Sequence, residues 1–176
     1  VAIVWGGAEI AGKWRSGPVF AAAGTAVILA ILSALTVAQI SYWQNSFTLY
    51  SRALAVVERN WLAHNNMAIL LAQQYRYDDA IKHFQESLRI NPNQAEGFRN
   101  LGNAYQSVGN NGAAIDAFRE AVKIKPNDGE GHFRLGYAYL MAGSIDAAYQ
   151  EYLQLQRMND PRAQSLFDSI RLAGGH

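Results

Sequence analysis

The hydrophobic and small residues that follow residue 60 recur with one fixed period, which the equal spacing of Ala80, Ala114 and Ala148 defines. Each period holds one of these alanines, an aromatic residue four positions after it, and an alanine or glycine twelve positions before it. Self-similarity at a period of about 34 residues predicts repeated pairs of helices, each pair joined by a turn. The other residues of this frame are Phe84, Phe118 and Tyr152, and then Ala68, Gly102 and Gly136.

Prolines mark the limits of the first two units. Asn91-Pro92 and Lys125-Pro126 are predicted to end the second helix of a pair, because proline cannot continue a helix and restricts the residue before it. The whole pattern resembles the tetratricopeptide repeat family, which implies an all-α solenoid. We place a half repeat that supplies only a second helix at 44–60, full repeats at 61–94, 95–128 and 129–162, and a capping helix with a tail at 163–176.

The segment before the repeats is apolar. No charged residue lies between Arg15 and Arg52, and a helix over 18–43 would be long enough to cross a hydrocarbon core of about 30 Å. Trp14 and Trp43 flank it as interfacial aromatic residues would. The sequence therefore predicts a transmembrane-type helix here, with 1–17 as the end of a preceding span or an interfacial segment. The alternative is a helix buried in a soluble core or a protein assembly.

Two further features bear on this helix. Lys13 and Arg15 precede it, which favours a cytoplasmic amino-terminal side and repeats on the periplasmic or another extracytoplasmic side. Alanines recur at every fourth position and predict close contact with another hydrophobic helix, although alanine is also simply common in the segment. These alanines are Ala22, Ala26, Ala30, Ala34 and Ala38.

Composition argues against several kinds of chemistry. The formal charge is +1 and no block of basic residues occurs, so a nucleic-acid partner is not expected. The absence of cysteine excludes disulfides and thiolate metal sites. His64 and His132 stand two periods apart at a packing position, which indicates structural rather than ligating histidines. We find no phosphate-binding loop or nucleophile elbow, and expect no catalytic residue, metal site or cofactor.

The first helix of each unit is predicted to line a concave groove that binds a protein or peptide. Asn66 and Asn100 share a frame position, and their amides could hold the backbone of an extended peptide; Arg134 follows them in the third unit. Arg99 and Arg134 could bind a carboxylate. The alternative is a solvated polar face. The predicted groove residues are Asn65, Asn66, Ile69, Gln73, Arg99, Asn100, Asn103, Gln106, Phe133, Arg134, Tyr137 and Met141.

The junction between the apolar segment and the repeats resembles that of a membrane enzyme family. The runs Gln39–Ser46, Leu49-Tyr50 and Asn60–Asn66 are similar to the end of the last membrane helix and the first repeat in GT-C type glycosyltransferases with tetratricopeptide tails, the protein O-mannosyltransferase group and its bacterial relatives. The resemblance implies catalytic residues in early membrane loops that this sequence does not contain, so enzyme activity requires a longer natural chain.

Two functions remain open at this point. One is a membrane-anchored interaction module that recruits polypeptides, placed in the membrane with its repeats on the extracytoplasmic side. The other is a self-assembling structural subunit, a homo-oligomer or filament, in which the apolar helix is buried against neighbouring hydrophobic helices rather than in lipid.

Overall fold

The computed structural model describes residues 24–25, 27–33, 46–57 and 59–174. The chain divides into two units after Thr48. In the first unit the described residues between 24 and 33 are helical and exposed. Across the described part of the chain, no helix has both the length and the apolarity that crossing a membrane requires. Most of the predicted transmembrane-type helix at 18–43 and all of 1–17 lie outside the described residues, as do all alanines of the small-residue stripe except Ala30.

From residue 46 onward the described chain is a succession of helices joined by short turns. The prediction of an all-α fold built from helix pairs is confirmed. The helices are α1 (Ser46–Val56), α2 (Trp61–Gln73), α3 (Tyr77–Ile90), α4 (Ala95–Ser107), α5 (Asn111–Ile124), α6 (Gly129–Met141), α7 (Ile145–Arg157) and α8 (Arg162–Gly174).

Local chemistry explains where these helices begin and end. The side chains of Asn60 and Asn110 accept hydrogen bonds from backbone amides three residues later, at 3.0 and 3.1 Å, and so cap α2 and α5. At the other end, α3 stops at Ile90 because Asn91 has the extended backbone (φ −133°) that a following proline favours. The predicted role of Asn91-Pro92 as a helix end is therefore confirmed.

The turn inside each pair has the same geometry three times. Tyr75, Gly109 and Gly143, each one period after the other, have φ values of 61°, 78° and 74°. The next residue donates its amide hydrogen to the carbonyl five positions earlier in each case, at 2.8 to 2.9 Å. This left-handed backbone conformation at the end of a helix suits glycine, which has no Cβ to clash with the neighbouring backbone. Tyr75 adopts it with a steric cost that the other two turns avoid.

The two helices of a pair approach closely at small residues. Ala68, Ala80, Ala114 and Ala148 are fully buried. A Cβ added to Gly102 would lie only 2.6 to 2.8 Å from the ring of Phe118, so the bare glycine leaves room for this ring where α4 crosses α5. The small residues of the repeat frame therefore set how near the paired helices lie.

The core runs through successive helices in three clusters. The first contains Phe84 and receives Tyr50 and Leu54 of α1 at its edge. The last contains Leu155 and is covered by Leu166 and Ile170 of α8, which packs on both α6 and α7. The terminal helix thus covers apolar surface that the third pair would otherwise expose to water.

Replacing Gly102 by alanine tests the helix crossing. The added methyl group has no space beside the Phe118 ring, so we expect the free energy of unfolding to fall by about 1–2 kcal/mol, even though alanine has the better helix propensity. Chemical denaturation of the full chain measures it. The control is Gly112→Ala in α5, where a Cβ meets only an Asn110 oxygen at 4.0 Å; a neutral or stabilising change of up to about 1 kcal/mol is expected there. Equal effects at the two sites would contradict this account.

Candidate functional site

The first helices of the three pairs, α2, α4 and α6, form a surface with three adjoining cavities. The cavity nearest Trp61 has a volume of about 470 Å³ and lies between α2 and the start of α4. The next, of about 260 Å³, lies between α2 and α4 beside Phe84. The third, of about 310 Å³, lies between α4 and α6. Ile69 borders the first and second cavities and Asn103 borders the second and third, so the three cavities adjoin one another along one surface, which we call the groove.

Ten of the twelve predicted groove residues line these cavities, and Arg99 and Phe133 do not. Their location agrees with the sequence analysis; their part in binding stays a prediction. Asn65, Asn66 and Ile69 line the first cavity; Ile69, Gln73, Asn100 and Asn103 line the second; and Asn103, Gln106, Arg134, Tyr137 and Met141 line the third.

The groove also includes residues that the sequence analysis missed. Tyr77 and Phe84 of α3 form part of the 260 Å³ cavity, and Asn111 of α5 borders the 310 Å³ cavity. These come from second helices, whereas the prediction considered only first helices. For Tyr77 and Asn111 the signal was available, because the start of a second helix follows a tight turn and so lies beside the end of the first helix.

Two predicted residues have other roles. Phe133 is partly buried against the cluster formed by α7 and α8, where it contributes to packing. The Nη1 of Arg99 donates to Oδ2 of Asp128 at 2.8 Å, and Asp128 is buried at the start of α6. This ion pair joins the second helix pair to the third. Arg99 is thus engaged within the protein rather than directed into a cavity.

Arg134 lies in the groove, but its charge is also compensated. Its Nε donates to Oε1 of Glu130 at 2.7 Å, one turn earlier on α6. The other oxygen of Glu130 accepts from Arg162 at 3.1 Å, and Arg162 in turn bonds Asp160 at 3.0 Å. Two guanidinium groups and two carboxylates therefore form one network between α6 and α8. The basic groups that suggested carboxylate binding already have carboxylate partners.

Asn103 has an unusual environment for a groove amide. Its Oδ1 is buried and accepts no hydrogen bond, although the residue borders two cavities. An unsatisfied buried carbonyl costs about 1–3 kcal/mol. Oδ1 itself has almost no accessible surface, so a donor in the groove would reach it, and recover that cost, only after the amide turns.

The histidines that the sequence placed at packing positions make distinct contacts. Nδ1 of His64 lies 3.0 Å from Nδ1 of His83 on α3. His132, two periods later, bonds Oε2 of Glu151 at 2.6 Å through Nδ1 and the carbonyl of Pro126 at 2.9 Å through Nε2. In the middle unit the equivalent positions are Phe98 and Ala117. The two helices therefore pack in each unit, whereas the two side chains at these equivalent positions differ from unit to unit.

These contacts shift the histidine pKa values in opposite directions. Burial lowers the pKa of His64 below 6.5, and burial followed by the charge of His64 lowers the pKa of His83. The hydrogen bond to Glu151 raises the pKa of His132 above 6.5, against the effect of burial. Within the described residues, no three metal-ligating side chains come together.

The helix pairs and the groove define an α-solenoid of the type that presents a surface for binding. Models of the tetratricopeptide repeat match residues 59–127 and 99–163. Together they cover more than half of the chain, which belongs to the tetratricopeptide repeat family, as the sequence analysis expected.

Several solved structures share this fold. A crystal structure of MamA has a TM-score of 0.67 at 23% identity, over 72% of this chain and 74% of that chain. The first TPR of Spaghetti (RPAP3) bound to the HSP90 peptide SRMEEVD has a TM-score of 0.61 at 19% identity, over 66% and 94%. The Yersinia enterocolitica type III secretion chaperone SycD, in complex with a peptide of the translocator YopD, has 0.57 at 22%, over 62% and 90%. These likenesses show the fold.

Curated relatives match about half of this chain. Protein O-mannosyl-transferase TMTC1 of Mus musculus is 32% identical over 92 residues, which is 52% of this chain and 10% of the relative. The Homo sapiens protein of the same name is 30% identical over 88 residues, 50% and 10%. The chain thus spans about a tenth of the length of these relatives.

The shifted histidine pKa values predict how the stability of the protein depends on pH. Because His64 and His83 have lowered pKa values, the unfolded chain binds more protons there, and the stability they contribute is present above pH 6.5 and lost as pH falls through their folded pKa values. His132 has a raised pKa, so its contribution is present below pH 6.5 and lost as pH rises through the folded pKa.

Exchanging each pair for the Phe–Ala pair of the middle unit tests this. Compared with the native chain, His64→Phe/His83→Ala should gain relative stability as pH falls below 6.5. His132→Phe/Glu151→Ala should instead lose relative stability as pH falls toward 6.5 from the raised pKa of His132. Denaturant unfolding at a series of pH values between about 5 and 8 measures both. Parallel pH profiles for the native chain and both variants would show that the pairs do not titrate in this way.

Proposed function

We propose that this chain is a peptide- or protein-binding module whose ligand lies along the groove of α2, α4 and α6. The observation that carries this proposal is the row of three adjoining cavities lined mainly by amide and apolar side chains. Concave sites of this size, with a few polar groups among apolar ones, are typical of ligand-binding surfaces. The peptides named with the Spaghetti and SycD structures support the same use of this fold.

We also propose that the module is anchored in a membrane, with its repeats on the extracytoplasmic side. The support is the uncharged run between Arg15 and Arg52, the basic residues before it, and the relation to TMTC1. In a protein O-mannosyl-transferase or a similar GT-C enzyme, such a groove would hold polypeptides near the membrane. The glycosyltransfer itself would need residues beyond those of this sequence.

A peptide screen tests the binding function. A displayed library of random peptides of about nine residues, roughly 30 Å when extended, is selected against the full chain in detergent. We expect enriched peptides whose affinity falls about tenfold or more in Asn66→Ala/Asn100→Ala, because two amides that each contribute about 1 kcal/mol are removed. The control removes an exposed amide of the outer helix α7, Gln150→Ala. No enrichment, or equal affinity for all three proteins, would overturn the proposal.

Self-assembly is a second candidate, raised by the exposed apolar residues of the first unit. The helical residues between 27 and 33 expose more than half of each large apolar side chain: Val27, Ile28, Leu29, Ile31 and Leu32. Apolar surface of this kind is covered either by lipid or by other protein. It is therefore compatible with an anchor and with an assembly of copies.

Light scattering of the full chain with and without detergent separates these two candidates. An anchored module should be a small detergent-bound particle that becomes insoluble or disperse when detergent is removed. Large regular particles that persist without detergent or lipid would contradict the anchor and support an assembly held together through the apolar helix.

A further inference from the structure

The groove has little net charge available to a ligand. Among the described residues that line the three cavities, Arg134 is the one cation and Glu96 the one anion. The guanidinium of Arg134 is bonded to Glu130, whose second oxygen bonds Arg162. The nearby Arg99 is bonded to Asp128. An acidic ligand would therefore have to displace carboxylates that are already well placed, and would meet Glu96 at one end.

The centre of the groove instead favours a ligand with an uncharged hydrogen-bond donor. Oδ1 of Asn103 is a buried acceptor with no partner, at the boundary between the 260 and 310 Å³ cavities. A backbone N–H of an extended polypeptide is a neutral donor that every residue except proline carries. Such a donor satisfies this oxygen without disturbing the ion pairs on either side.

Apolar surface lies on both sides of Asn103. The 260 Å³ cavity has Ile69, Ala72 and Phe84 in its wall, and its volume is several times the ~30 Å³ of a water molecule, enough for an apolar side chain. The 310 Å³ cavity presents the exposed side chains of Tyr137 and Met141. Methionine adapts to different apolar partners, and tyrosine adds a large aromatic surface with a polar hydroxyl.

We propose that the groove takes an uncharged, extended segment of a polypeptide. The amide of Asn103 turns its Oδ1 toward the groove, where a backbone N–H of this segment donates to it. One apolar side chain enters the cavity beside Phe84, and the next contacts Tyr137 and Met141. This inference rests on the proposed peptide-binding function and adds the class of ligand: an internal neutral segment rather than an acidic stretch or a free carboxyl terminus.

The composition of selected peptides separates the two proposals. If the library described above yields peptides that are uncharged and apolar, both proposals are supported. If it yields mainly acidic or mainly basic peptides, the binding function stands and the neutral-segment inference is overturned. If it yields no binder, the binding function fails and this inference fails with it.

Two variants test the mechanism with defined probes. Asn103→Leu removes the acceptor and keeps the number and branching of the side-chain heavy atoms. The best neutral peptide should therefore bind about fivefold or more weakly, while the unfolding transition is unchanged or raised because an unsatisfied buried group is gone. If Asn103 had only a structural role, Asn103→Leu would leave the peptide affinity unchanged and lower the midpoint of the unfolding transition. The matched control is Gln150→Leu on α7, expected to change neither measurement. Unchanged affinity in Asn103→Leu would overturn the assignment of Asn103.

Glu130→Gln is expected to give a gain of binding. It removes the carboxylate that compensates Arg134 and leaves Arg134 in the 310 Å³ cavity. The acidic peptide SRMEEVD, with a free carboxyl terminus, should bind this variant about tenfold or more tightly than the native chain. Glu120→Gln is the control, because Glu120 pairs with Lys123 on α5, away from the groove, and the change in net charge is the same. Tight binding of SRMEEVD by the native chain would overturn the inference.

Discussion

The close approach of two helices at small residues is the constraint on which the rest of this structure depends. Ala80, Ala114 and Ala148 have no exposed surface, and Gly102 leaves space for the ring of Phe118 at the same crossing. Because these contacts recur once in every period, each pair has a similar geometry, and the first helices α2, α4 and α6 lie side by side. A larger residue at one crossing would alter the pair and also the width of the groove beside it.

The polar contacts between pairs connect neighbouring helix pairs and also occupy charged groups near the groove. Gln85 donates to the hydroxyl of Tyr105 at 2.7 Å, and Arg119, one period later, donates to that of Tyr139 at 2.8 Å. Ion pairs join later elements in a similar way, from Arg99 to Asp128 and from Arg162 to Glu130. The three arginines in these contacts use guanidinium groups that would otherwise attract an anion. For the proposed peptide ligand, the connections between pairs would thus leave amides and apolar groups as the means of recognition.

Periodic features of this chain can be predicted from the sequence because they arise from local rules. The helix ends at Asn91-Pro92, the helix-pair frame and the covering role of the terminal helix follow from proline geometry, a repeated spacing and the need to bury apolar surface. Contacts between residues 29 or 32 positions apart, such as Arg99 with Asp128 and Glu130 with Arg162, depend on the angle between neighbouring pairs. Spacing alone does not give that angle, so the sequence places Arg99 in the groove although its guanidinium belongs to an interface between pairs.

Other departures from the sequence pattern are single-residue effects. Tyr75 stands where the later turns have glycine, and only the backbone shows that it shares their left-handed conformation. The buried oxygen of Asn103 likewise follows from the position of one amide, because Asn66 and Asn100 are the asparagines that share a frame position. Both departures concern residues at or beside the groove. A repeat frame determines the backbone that carries a binding surface, and its variable positions then determine the chemistry of that surface.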